Sequence, residues 1–133
     1  MSKYDAKLSR AGLDTRLPKL SILPNQFQEY AITIEMPEYS SVCPKTGLPD
    51  TGTIFLRYGP DRSIVELKSL KYYILGYRNL GIFYENAVNR ILKDFVQAVK
   101  PRWVFIRGDF NPRGGIRCRV EAKHGRVPAQ WRP

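Results

Sequence analysis

The chain has 133 residues, 43% of them hydrophobic and 26% charged, and 22 Lys and Arg against 12 Asp and Glu give a net charge of +10. That is one domain with material for a packed core, which excludes a disordered polyelectrolyte. No apolar run approaches the roughly 20 residues of a membrane helix, and Met1–Asp5 is not followed by a signal-like apolar segment, so a soluble, cytoplasmic protein without membrane contact is expected.

Residues 1–26 contain Pro18 and Pro24 and no clear periodicity, and read as an N-terminal arm. Phe27–Met36 has strand character through Phe27, Tyr30, Ile32 and Ile34, and Pro37 is expected to end it. Residues 38–50 are rich in turn formers and predict a loop. Thr51–Tyr58 predicts a second strand, Gly59-Pro60-Asp61 a turn, and Ser63–Glu66 a short extended piece. A first helix is predicted over Ser69–Arg78 and a longer one over Ile82–Val99. The longer helix carries Phe83, Ala87, Val88, Ile91, Leu92, Phe95 and Val99 at three- and four-residue spacing. Lys100 puts a positive charge at its C-terminal end and Pro101 stops it. Arg102–Phe110 predicts a strand, Asn111–Gly115 a turn, and Ile116–Ala122 a half-buried strand with Ile116, Cys118, Val120 and Ala122 inward. The order strand, strand, helix, helix, strand, strand is an α+β layout: an antiparallel four-stranded sheet with two helices on one face, over residues 27–133. Its two open edges favour closure against copies of itself.

The charge is unevenly spread. Residues 1–26 carry five basic and two acidic side chains, residues 27–99 carry eight of each, and residues 100–133 carry nine and two. A basic C-terminal tail suits a polyanion or a phosphorylated cofactor, or is simply a solvated surface. Two cysteines, Cys43 and Cys118, and one histidine, His124, exclude a standard Cys/His zinc site and a disulfide framework. No metal is expected.

Cys43 precedes Pro44 in a loop, where a stiff backbone can aim a thiol into a cleft; the plainer alternative is a small buried hydrophobe. That alternative suits Cys118. Asp50 follows Cys43 by seven residues and can come back beside it. A carboxylate there takes the thiol proton and returns it to a substrate atom, whereas a surface Asp ending a turn does nothing. In Glu66-Leu67-Lys68-Ser69-Leu70-Lys71-Tyr72-Tyr73, Ser69 can cap the first helix beside Lys68 and Lys71, a donor cluster suited to phosphate or an ordinary helix start. Glu85 lies in the first turn of the long helix, where the dipole favours it and where it can accept from a guanine-like edge. Neither Gly-x-Gly-x-x-Gly nor a P-loop is present.

Four segments together resemble the 7-cyano-7-deazaguanine reductases of queuosine biosynthesis. They are Ser41–Asp50, Glu66–Tyr73, Tyr77–Glu85 and Phe110–Gly115, within a resemblance over residues 38–125. It implies a tunnelling fold (T-fold) like that of GTP cyclohydrolase I, with subunits in pentameric rings stacked as a decamer and sites between subunits. It implies that Cys43 attacks the nitrile of 7-cyano-7-deazaguanine (preQ0) to form a thioimide, that Asp50 protonates the nitrogen, and that two NADPH deliver hydride to give 7-aminomethyl-7-deazaguanine (preQ1). Glu85, Tyr84 and Glu66 are then substrate-binding, and Lys68, Ser69, Lys71 and Arg113 cofactor-binding. Tyr84 departs from the pattern, since many relatives carry His there; a phenol donates a hydrogen bond but is no imidazolium near neutral pH. No direct tRNA contact is expected. The alternatives are a related amidinotransferase that makes archaeosine on tRNA, and a non-catalytic RNA-binding module using the basic tail.

Overall fold

A computed structural model describes residues 6–133. Of the arm expected over residues 1–26, the first five residues lie outside that range. Strands β2 (Ile32–Val42), β3 (Pro49–Gly59), β5 (Trp103–Arg113) and β6 (Ile116–His124) form one antiparallel sheet in the order β2-β3-β5-β6. Helices α2 (Leu67–Leu75) and α3 (Tyr84–Val99) close over one face of it. A short helix α1 (Ala6–Ser9) opens the described chain, and β1 (Ile22–Pro24) pairs with β4 (Ser63–Val65) as a separate ribbon. The expected α+β layout with two covering helices is therefore the observed one. Among the described residues no helix is long and apolar enough to cross a membrane.

The α3 stripe behaves as its periodicity dictates: Ala87, Val88, Ile91, Phe95 and Val99 are buried against the sheet. Lys100 ends the helix in the left-handed region at φ 51°, its N–H donating to Val96 O at 3.0 Å. Both helix starts differ from expectation. α2 begins at Leu67 because Glu66 is the N-cap, not Ser69; the Glu66 carboxylate accepts from Lys68 N at 2.7 Å and Ser69 N at 2.9 Å. It also ends at Leu75, and residues 76–80 continue as turns. α3 begins at Tyr84 because the residues before it are tied to β2: Val42 N donates to Leu80 O and Ile82 N to Val42 O, each at 3.0 Å.

The strands depart further. β2 does not end at Pro37 but runs through it to Val42, while Phe27 and Tyr30 lie outside it and Phe27 is exposed. Pro37 is tolerated because β2 is an edge strand and the ladder is broken there by a bulge: Met36 pairs with Ile54 but Tyr39 with Gly52, so Pro37 and Glu38 together oppose Thr53. β5 likewise continues past Phe110 to Arg113. Phe110 pairs with Cys118 and Arg113 with Ile116, a second bulge with one extra residue on β5. Only Gly114 and Gly115 form the turn, with φ of 64° and 79°, the double positive φ of a type I′ hairpin. Ile116 is not inward but 74% exposed, because this end of the hairpin projects past the helices.

Each bulge reverses side-chain parity. Before the first, Ile32, Ile34 and Met36 face the helices; after it, Tyr39 and Ser41 do, and the same parity carries Cys43 inward. On β5, Val104, Ile106, Gly108 and Phe110 face inward, and the second bulge gives that face to Arg113. β3 has no such break: Asp50, Gly52, Ile54, Leu56 and Tyr58 share the inner face throughout.

Gly108 marks where α3 crosses closest. A Cβ there would lie 2.7 Å from Val88 Cγ2 and 2.8 Å from the Phe110 ring. Gly108→Ala is expected to destabilise the domain by about 1–3 kcal/mol in urea unfolding, the usual effect of overpacking a tight core.

Candidate functional site

The two bulges converge on one end of the sheet. Ser41 lies directly opposite Asp50 across the β2–β3 ladder and Val42 opposite Pro49, so the turn 43–48 is short and pinned at both ends. Within it, Cys43 N donates to Leu48 O at 2.9 Å and Gly47 N to Cys43 O at 2.8 Å; Gly47 takes φ 72°. Leu80–Ile82, bonded to Val42 as described, fix the residue just before the thiol.

Cys43 is half-buried, with its thiol pKa below the ordinary cysteine value. Burial pushes it up, but the Thr46 hydroxyl and the N–H groups of Thr46 and Lys45 outweigh that penalty, while the Asp50 charge opposes them. The turn itself, then, favours the thiolate, and the carboxylate does not. Thr46 was not among the expected site residues. A hydroxyl three residues beyond a cysteine in a Pro- and Gly-bounded turn is the signal that could have pointed to it.

Asp50 is 5% exposed and its Oδ1 carries two donors. Tyr84 OH donates at 2.9 Å, and the Arg113 guanidinium ion-pairs with the same atom. Tyr84 stacks on Phe110 with ring centroids 4.0 Å apart and planes 11° from parallel, which fixes the phenol's direction. Burial, then the Asp50 hydrogen bond, push the Tyr84 pKa up to about 12, so it remains a neutral donor. Glu85 is the next residue of α3, exposed, and its charge reaches Cys118. Cys118 is half-buried, not fully enclosed as expected, and burial with Glu85 raises its pKa.

Cys43, Asp50, Tyr84, Glu85 and Arg113 are thus together. Glu66, Lys68, Ser69 and Lys71 are not with them. Val65 N donates to Tyr58 OH at 3.0 Å, and Tyr58 lies eight residues along β3 from Asp50, so Glu66 starts on the order of 20 Å away within one chain. Both Glu66 carboxylate oxygens are occupied by the start of α2, as given above. Ser69 Oγ donates to Glu66 O at 2.7 Å and accepts from Ser21 N at 2.9 Å. The ammonium groups of Lys68 and Lys71 are exposed and three residues apart on one helix face. They fit a phosphorylated cofactor as point charges, whereas the capped helix amides and the engaged Ser69 hydroxyl offer it no cradle.

The basic tail is partly neutralised in place. Arg102 pairs with Asp61, Arg107 with Glu121, and Arg117 and Arg119 both with Asp109.

A T-fold domain whose sheet ends in a thiol, a buried carboxylate and a guanidinium defines a thiol–carboxylate member of that fold. The family model described as "QueF-like protein" matches residues 49–129. The chain is 52% identical over 122 residues to the NADPH-dependent 7-cyano-7-deazaguanine reductase of Elusimicrobium minutum, spanning 91% of this chain and 92% of that one. It is 60% identical over 89 residues to the protein of the same name from Chlorobaculum tepidum, spanning 67% and 76%. The crystal structure of the archaeosine synthase QueF-Like in its apo form superposes with a TM-score of 0.70 at 22% identity, covering 77% of this chain and 100% of that one, a likeness of fold. The chain belongs to the QueF-like family and, within it, to the group of NADPH-dependent 7-cyano-7-deazaguanine reductases.

Thr46→Val removes the side-chain hydrogen bond that lowers the Cys43 pKa. Thiolate exists above that pKa, so the pH profile of iodoacetamide alkylation at Cys43 is expected to move to higher pH, with rates lost on the acid side and retained well above it.

Proposed function

We propose that this chain catalyses NADPH-dependent reduction of the nitrile of 7-cyano-7-deazaguanine to the aminomethyl base. The reading is carried by the Cys43 turn, which favours thiolate, set beside a buried Asp50. Relatives of that name at 52% and 60% identity support it over the amidinotransferase alternative. Cys43 attacks the nitrile carbon, its S–C bond forming as a C–N π bond opens. The thiol proton passes through Asp50 to the nitrogen, giving a thioimide on Cys43. Arg113, expected at the cofactor, and Tyr84, expected at the base, instead hold Asp50 by one oxygen, leaving the other for the proton. Glu85 accepts from the N–H groups of the base. NADPH, when bound, supplies hydride; Lys68 and Lys71 would hold its phosphates, while Glu66, expected at the base, and Ser69, expected at the cofactor, instead fix the helix start that carries the lysines. The reaction belongs in the cytoplasm, where thiols stay reduced.

Because the lysines and the thiol lie at opposite ends of one chain, a complete site needs Lys68 and Lys71 from a neighbouring copy. Among the described residues the edge of β2 before Val42 and that of β6 carry no further strand, which supports a closed homo-oligomer, consistent with a decamer of two pentamers.

Purified protein given the free cyano base is expected to oxidise NADPH, and Cys43→Ala to abolish both turnover and the Cys43 adduct seen by mass spectrometry. Ammonia-dependent modification of tRNA without NADPH oxidation would instead favour the amidinotransferase. A second experiment addresses the shared site. Mixed oligomers of Cys43→Ala with a Lys68→Ala, Lys71→Ala double variant are expected to recover activity that neither has alone. No recovery in oligomers shown to contain both chains would sink the shared site.

A further inference from the structure

The apolar core contains a series of hydroxyls that the site described so far does not use. Tyr39, Ser41, Tyr73 and Tyr77 are each no more than 2% exposed. Phe and Ala would fill the same space without burying a polar atom, so four in series need a reason.

They are ordered in space. Tyr73 OH donates to Asp94 Oδ2 at 2.6 Å and lies 2.7 Å from Tyr77 OH. The Tyr77 ring packs on Tyr39, with centroids 5.8 Å apart. Tyr39 OH and Ser41 Oγ are close enough to affect one another, yet neither makes a hydrogen bond of normal geometry among the described residues. Ser41 is the cross-strand partner of Asp50, which puts their Cβ atoms about 5 Å apart on the same face. The far end is wet. Asp94 lines a groove of about 980 Å³ between residues 14–22 and α3, beside Arg90, whose Nε lies 3.3 Å from Asp94 Oδ2.

We propose that Tyr73, Tyr77, Tyr39 and Ser41 form a proton relay from Asp94 at this groove to Asp50. The proposal rests on the reductase reading. Converting a nitrile to a primary amine takes two hydrides and two protons; the thiol proton of Cys43 is left on nitrogen when the thioimide forms, so one outside proton completes the amine and a second restores the thiol after the S–C bond breaks. With base and cofactor over Cys43, an already buried Asp50 needs a second route to solvent. In one pass Asp50 gives its proton to the substrate nitrogen or to the departing Cys43 thiolate. Ser41 gives its hydroxyl proton to Asp50 and takes that of Tyr39, Tyr39 takes that of Tyr77, and Tyr77 that of Tyr73. Tyr73 takes one from Asp94, which is reloaded from the groove. No hydroxyl is left ionised. Burial raises the pKa of all three phenols, which keeps them protonated between passes. The unpaired hydroxyls of Tyr39 and Ser41 are free to turn toward either neighbour, as handing on a proton requires.

Tyr39→Phe and Ser41→Ala in the full-length protein test this. Each deletes a hydroxyl without a partner, so thermal stability is expected to hold or rise. Adduct formation on Cys43 with the cyano base alone needs no outside proton and is expected to keep its rate. Steady-state NADPH oxidation is expected to lose about tenfold or more in kcat, the scale of assisted proton transfer, with KM unchanged and a larger solvent deuterium isotope effect on kcat. Ser41→Thr, which keeps the hydroxyl, is expected to restore turnover. Unchanged kcat and isotope effect in both variants would overturn the relay while leaving the reductase reading intact. Absence of adduct and of NADPH oxidation in the unsubstituted protein would overturn both.

Discussion

A strand alternates its side chains strictly, and this chain needs residues of opposite parity on one face. Asp50 is even-numbered on an unbroken β3, while Ser41 opposite it, the Cys43 that follows, and Arg113 are odd-numbered on strands whose inner residues before the bulge are even. One extra residue in β2 and one in β5 resolve the conflict. Both bulges sit toward the same end of the sheet: Gly52 of β3 pairs with Tyr39 just after the first and with Phe110 just before the second. The meeting of the thiol, the carboxylate and the guanidinium on one face depends on them. Bulges beside functional sites commonly re-aim side chains in this way.

The electrostatics of that end divide the work. The turn after Cys43 supplies the donors that favour thiolate, while Tyr84 and Arg113 grip one oxygen of Asp50. Tyr84 is held by stacking on Phe110, itself an inner-face residue of β5, so the core positions the donor. The same core encloses the hydroxyls of Tyr39 and Ser41, which interact with one another and find no well-formed hydrogen bond among the described residues. Polar groups enclosed in an apolar core concentrate where function needs them.

Within one chain, the lysine-bearing start of α2 is far from this end. Glu66 and Ser69 are absorbed in building that start: one caps the helix, the other ties it to Ser21 before β1. The residues around the motif are thus spent on the helix start, and Lys68 and Lys71 are left exposed. The basic C-terminal third is less free than its composition suggests, since Asp109, Glu121, Asp61 and Asp50 each take arginines from it.

Much was legible in the sequence. The α3 stripe, its stop at Lys100-Pro101, the order of strands and helices, and the pairing of Cys43 with Asp50 all follow from local spacing, because helix period, turn chemistry and short loops are local properties. The tertiary structure alone decided which way those residues face. Pro37 and Asn111-Pro112 read as strand ends because a bulge looks like a break until the partner strand is present to count against. Glu66 displaced Ser69 as the cap, Arg113 joined Asp50 across 63 residues, and Tyr39 and Ser41 were drawn into the core, all through contacts between distant segments. A sequence specifies the period of each element; register, and with it the face each side chain takes, exists only between elements.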